Sequence, residues 1–239
     1  MDEAEWRTCN DPMAMLHALR GILPMRKLRL FACACCRRVW PILSDPRSRS
    51  VVEVAERFAD DLADATSLEG AREAAYSVHA NTSSPDSGFA DSARGMSRSN
   101  WEAAQAATMT AMPFSTPDDA IWCGQATVEQ ASLAVVSSAP EDRSESAAEA
   151  KERASQADVL RCIFGNPCRP ISVSPKWRTP MVVQLDRAIY DDRAFGRMLS
   201  LADALEEAGC NNAEALTHCR QQGEHIRGCW VVDLLLGKN

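Results

Sequence analysis

From Leu28 to Leu43 the apolar positions recur at helical spacing. Leu28, Ala32, Cys35, Val39 and Ile42 stand four, three, four and three residues apart, and Phe31 and Leu43 widen the stripe. That rhythm lays one apolar face along an amphipathic helix. Pro41 is expected to kink or end it. Upstream, Asp11-Pro12 offers a cap and a first-turn proline, and Gly21 a stop, so a short helix is predicted from about residue 12 to 20. Downstream of Asp45-Pro46, the stripe Val51, Val54, Ala55, Phe58 and Leu62 predicts another helix. A break near residues 66–70 precedes a further one through Ala71, Ala75 and Val78. Periodicity is lost between residues 81 and 100, where Ser, Asn, Asp and Gly dominate, as in a loop.

An Ala-rich helix is expected from Trp101 to Met112. Another should carry Ile121, Gly124, Val128, Ala131 and Val135, whose small residues allow close helix contact. After a turn at residues 138–144, a polar helix should run to Phe164, apolar only towards its end. Pro167, Pro170, Pro175 and Pro180 then favour extended backbone, with any strand pairing confined to Ile171–Val173. The remaining helices carry Val182, Val183, Leu185 and Ile189; then Phe195, Met198, Leu199, Ala202 and Leu205; then residues 212–219. The last carries Cys229, Trp230, Leu234 and Leu235. The pattern predicts an all-α protein, a compact multi-helix array of about nine or ten helices with a Pro-rich extended segment near 164–180. A helical part, 1–163, and a C-terminal part, 164–239, are expected to pack as one domain.

Composition supports this. Of 239 residues, 46% are apolar but only 6% aromatic, and such an Ala-, Leu- and Val-built core suits close helix packing better than a sandwich. The net charge of −7 disfavours a general nucleic-acid binder. A local basic run remains between Arg26 and Arg38, with Lys27, Arg29 and Arg37 and no acid among them. It reads either as a solvated helix face with snorkelling side chains or as a surface for an anionic partner such as nucleic acid. The acidic start MDEAEWRTCNDP lacks the apolar core of a secretory signal, and no apolar run approaches the roughly 20 residues that span a bilayer. A cytoplasmic protein without membrane contact is expected. Most of its ten cysteines are then expected to be reduced, many as small buried hydrophobes.

Two stretches carry a resemblance. RKLRLFACACCRRVW, continuing through RSVVEVAERFAD, is the first; QADVLRCIFGNPCRP, WRTP, AIYDDRAF, LADALEEAGC and HIRGCWVVDLLLGK make up the second. Together they resemble an uncharacterised paralogous family of planctomycete bacteria, over more than half of the chain. Residues 79–155 do not take part. LADALEEAGC is also similar to the LADWLEE phrase of a short domain found beside other modules there. The resemblance supplies no catalytic residues. It implies a group that expands in number and combines with other domains, as interaction modules do.

Chemistry concentrates at the two ends. Cys33 and Cys36 stand three apart, and His218, Cys219, His225 and Cys229 cluster near the C-terminus, with His225 and Cys229 four apart on one face if helical. Two ligands from each end would make a tetrahedral zinc site. A packed core competes with that reading. At 100° per residue, Cys35 faces the core, Cys36 lies at its edge, and Cys33 points away towards Arg37. A Cys–His nucleophilic pair from the same residues is a further option, without a supporting signature. His17 and His79 read as surface or satisfied core groups. Adjacent acids such as Asp118–Asp119 diverge on a helix and make no acid/base couple.

No phosphate-cradling glycine loop, serine elbow or zinc-protease helix is present. The expectation is therefore a non-enzymatic protein-interaction module without a cofactor, contacting a protein partner through Trp177, Arg178, Arg227 and Trp230. Zinc binding and nucleic-acid binding through residues 26–38 are the alternatives.

Overall fold

The described residues form twelve α-helices and two single-turn 3-10 segments, with no strand among them. The structure is a computed structural model that describes residues 1–21, 24–80, 96–140 and 144–238. Most of the loop expected at 81–100, and part of the turn at 138–144, lie outside the described residues. The helices are α1 (Glu3–Thr8), α2 (Pro12–Ala18), α3 (Met25–Arg38), α4 (Pro46–Ala59), α5 (Ala65–Ala80) and α6 (Arg98–Met109), followed by α7 (Pro117–Ser138), α8 (Glu145–Phe164), α9 (Pro180–Asp191), α10 (Met198–Glu207), α11 (Ala213–Arg220) and α12 (Trp230–Leu236). The all-α reading holds, with slightly more and shorter helices than expected. No described helix is long and apolar enough to cross a membrane.

Local chemistry sets the starts. Asp11, Asp45, Thr116 and Thr179 each accept a hydrogen bond from a first-turn backbone N–H, with a proline directly after. Proline costs nothing there, because its missing N–H would have had no helical partner. Thr116 and Asp119 complete a reciprocal capping box. Asp64 accepts from Ser67 N, so α5 starts before the expected break and runs through Gly70.

The chain divides into two compact units: residues 9–157, and residues 1–8 together with 158–239. In the first, α3 is central, with α4, α6 and α7 packed on it. Encirclement buries residues 28–36 on every side. Cys33, placed by the helical wheel away from the core, is buried, its Sγ 3.8 Å from the Val52 carbonyl. Phe31 and Leu16 pack beside Gly124 of α7, and α6 adds buried Ala103, Ala104, Ala106 and Ala107. These small side chains let the backbones approach.

The basic run on α3 faces acids rather than solvent. Arg26 pairs with Asp60 at 2.9 Å, Arg37 with Glu56 at 2.8 Å, and Arg38 donates two bonds of 2.9 Å to Glu152. Arg29 is buried and donates to the Thr110 and Met112 carbonyls between the rings of Phe58 and Phe114. His17 is exposed, and buried His79 is satisfied by Thr108. Leu62, assigned to the α4 stripe, is 67% exposed, because α4 ends at Ala59 and Asp61 takes a left-handed turn.

The second unit packs α9, α10, α11 and α12 around Val182, Ile189, Tyr190, Leu201, Leu205 and Val232. Leu199, expected in the α10 stripe, is exposed instead. The N-terminal residues join this unit, not the helical part that follows them in sequence. The Trp6 indole donates to the Gly165 carbonyl at 2.8 Å, and Arg161 donates to the Trp6 carbonyl. Gly165 has a φ of +62°, and a Cβ there would lie 3.0 Å from the Trp230 ring, so glycine is required on both counts.

Candidate metal centre

Four side chains of the second unit converge. The ligand atoms of Cys162, His218, His225 and Cys229 all lie within 4.8 Å of one another, the one such group of three or more among the described residues. Cys162 sits near the end of α8, His218 on α11, His225 in the irregular segment after it, and Cys229 at the N-cap of α12. His225 and Cys229 therefore do not share a helix face, as their spacing had suggested. Residues 221–229 form a bend and a turn, closed by Cys229 N donating to the Ile226 carbonyl with Gly228 at a φ of +90°. That turn aims both side chains inward.

The contacts are close. His218 Nε2 lies 3.2 Å from Cys229 Sγ, and His225 Nδ1 lies 4.0 Å from Cys162 Sγ. The two imidazoles meet edge to face with centroids 4.9 Å apart. Around a zinc ion holding sulfur at about 2.3 Å and nitrogen at about 2.0 Å, tetrahedral ligand atoms stand roughly 3.3–3.8 Å apart. The separations bracket that range, so small side-chain shifts complete the sphere. The Gln221 amide lies 3.1 Å from His218 Nδ1, the outer nitrogen that orients a ligating imidazole. Cys162, Cys229 and His218 are buried. His225 is half-buried as a residue, and its Nε2 is sealed from solvent with no hydrogen-bond partner.

Electrostatics fit a site that holds a cation. Burial alone would raise the Cys229 thiol, but the Cys162 thiol bonded to it, with His218 and His225, holds it well below the ordinary value. Cys162 moves the opposite way, raised by that shared bond and by burial. One proton between two sulfurs is the arrangement a divalent ion displaces.

The other expected residues lie elsewhere. Cys33 and Cys36 are packed in the first unit, and burial pushes the Cys36 thiol well up, as in an inert thiol. Cys219 adjoins His218 on α11 but points about 100° away, and burial raises its thiol. Cys162 was missed because its partners lie 56 to 67 residues on. The expected partner surface is divided. Arg178 is exposed and Trp177 half-buried against the core, whereas Trp230 is buried and Arg227 stacks over Tyr190.

Asp186 of α9 is a second buried group in this unit, with no partner for either carboxylate oxygen. Burial, then the Cys229 and Asp233 charges, push its carboxyl up to about 8, against a smaller opposing effect of Arg178. The folded protein thus keeps a proton that the unfolded chain releases near 3.8. Its contribution is present at low pH and lost as pH rises from about 4 through about 8, at up to about 1.4 kcal/mol per pH unit. In protein freed of metal by chelation, Asp186→Asn should flatten this fall. Urea midpoints compared at about pH 5 and about pH 8 check it; the same slope in variant and parent would refute the assignment.

No protein-family model, curated protein or solved structure matches this chain.

Proposed function

We propose that this protein is a metal-binding helical module in which Cys162, His218, His225 and Cys229 hold one zinc ion and so fasten α8, α11 and the start of α12 together. The convergence of two sulfurs and two imidazoles from four separate places in the chain carries the reading. Four protein ligands leave no open coordination position, as in zinc sites that stabilise a fold rather than catalyse. The sulfur and nitrogen donor set suits zinc better than magnesium or calcium, which prefer oxygen. A clamped helical unit agrees with a role in binding other proteins, with half-buried Trp177 and exposed Arg178 on its surface.

Elemental analysis of the purified full chain tests the proposal. About one equivalent of zinc is expected, lost on Cys162→Ser or His218→Ala and retained on Cys36→Ser and Cys219→Ser. Less than about a tenth of an equivalent, after reconstitution with zinc under reducing conditions, would refute it.

One observation favours a second reading. His218 Nε2 is 3.2 Å from Cys229 Sγ, with the Gln221 amide on the other ring nitrogen, the order of a thiol nucleophile, its base and an orienting group. Complete burial of Cys229 opposes it, since no substrate reaches the sulfur. Fast alkylation of Cys229 in native protein that retains no zinc after reconstitution would favour this reading over the metal site.

A further inference from the structure

A cleft of about 460 Å³ opens beside the His218 end of this unit, lined by Arg7, Arg161 and Arg169 with Glu214 the sole acid in its wall. Three guanidiniums share one small concavity, each paired with an acid that lies outside its wall: Arg7 and Arg169 with Glu3, Arg161 with Asp158. Two of them are held close together. Glu3, which is not part of the wall, has one oxygen 2.7 Å from Arg7 Nη2 and the other 3.7 Å from Arg169 Nε. Two guanidiniums from α1 and from the segment after α8 therefore already converge on a single carboxylate. Arg161 is fixed by Asp158 and by the Trp6 carbonyl. Asn166 adds a buried amide whose Nδ2 has no hydrogen-bond acceptor, on a residue 9% exposed. The rest of the wall is apolar in part, with Trp6 and Trp230 beneath it.

We infer that this cleft is a binding site for a phosphate monoester of a small organic molecule, its phosphate taken by Arg7, Arg169 and Arg161. Guanidinium forks match phosphate oxygens in geometry as well as charge, and three of them suit a dianion better than a single carboxylate. The volume falls in the range of small-molecule sites, and the apolar part of the wall provides for the organic group. Glu3 acts as an internal competitor. Its side chain is 34% exposed and that of Arg7 is 56% exposed, so the pairs it makes are weak and exchangeable. The inference does not rest on the metal reading: His218 and Gln221 line the cleft, but the three arginines that take the phosphate are not among the proposed zinc ligands.

Calorimetric titration of the full chain with phenyl phosphate tests it, with inorganic phosphate as the second arm. Phenyl phosphate should bind more tightly than inorganic phosphate. Arg7→Ala and Arg169→Ala should each weaken it about tenfold, and Arg169→Lys, which keeps charge but not the fork, should fall between. Glu3→Gln should tighten binding, because it frees both guanidiniums; a merely structural role for Glu3 predicts no such gain. Circular dichroism confirms that each variant is folded. No binding of either probe, or binding insensitive to both arginine variants, would overturn the site. Equal affinity for inorganic phosphate would overturn the monoester assignment.

Discussion

Cys229→Ser is expected to lose zinc and to unfold the C-terminal unit under conditions where the parent is intact. The reason is linkage. On the proposed function zinc would bind only the folded arrangement, and the binding free energy of a structural zinc is folding free energy, roughly 10–16 kcal/mol in small zinc domains near neutral pH. Even a fraction of that rivals the roughly 5–15 kcal/mol that separates most folded domains from the unfolded chain. The residues concerned depend on it locally. His225 and Cys229 lie in or at the end of an irregular segment, residues 221–229, with few backbone bonds of its own. Thermal unfolding with and without a chelator checks the prediction. The parent should lose stability on chelation, and the variant should start from that lower level and not respond. In metal-free protein the same substitution should cost far less, about 1–3 kcal/mol, since it then perturbs only the buried hydrogen bonds of Cys229 with Cys162, His218 and His225. A variant as sensitive to chelator as the parent would show that this sulfur holds no metal.

Arg29→Ala should destabilise the first unit by about 3–5 kcal/mol, among the largest single effects outside the metal centre. The change strips the donors from the Thr110 and Met112 carbonyls, at roughly 1–3 kcal/mol for a buried group left unsatisfied. It also removes a cation lying 4.0 Å from the Phe114 ring centroid and 5.1 Å from that of Phe58, about 2 kcal/mol for a desolvated pair. Arg29→Met should recover part of the packing but not the hydrogen bonds. Urea denaturation followed by Trp fluorescence reads the difference; a loss below about 1 kcal/mol, typical of a surface site, would contradict the burial of this guanidinium.

Arg29 also shows where a sequence reading stops. From the pattern alone it belongs to a basic, solvent-facing run, because arginine is rarely buried and nothing nearby in sequence is acidic. The structure reverses this through partners far along the chain: Asp60, Glu56 and Glu152 for its neighbours, and two carbonyls after α6 for Arg29 itself. The candidate site divides in the same way. His218, His225 and Cys229 stand out as a C-terminal cluster of ligand types, but neighbouring Cys219 carries the same signal and is turned aside by 100° of helix. Pairing the cluster with Cys33 and Cys36 followed from sequence motif. The sulfur that closes the group is Cys162, in a helix whose polar stretch conceals it.

What the sequence by itself determined is the helical character of the chain and most helix starts. Capping residues, first-turn prolines and the 3.6-residue apolar rhythm act over a few neighbours, and those neighbours are written consecutively. What only the tertiary structure decided is which faces are covered, which charges meet, and which thiol joins the histidines. Those depend on contacts between distant segments, such as Trp6 on Gly165 or Cys162 beside His225, whose free energy arises from burial and convergence in space and leaves no periodic trace along the chain.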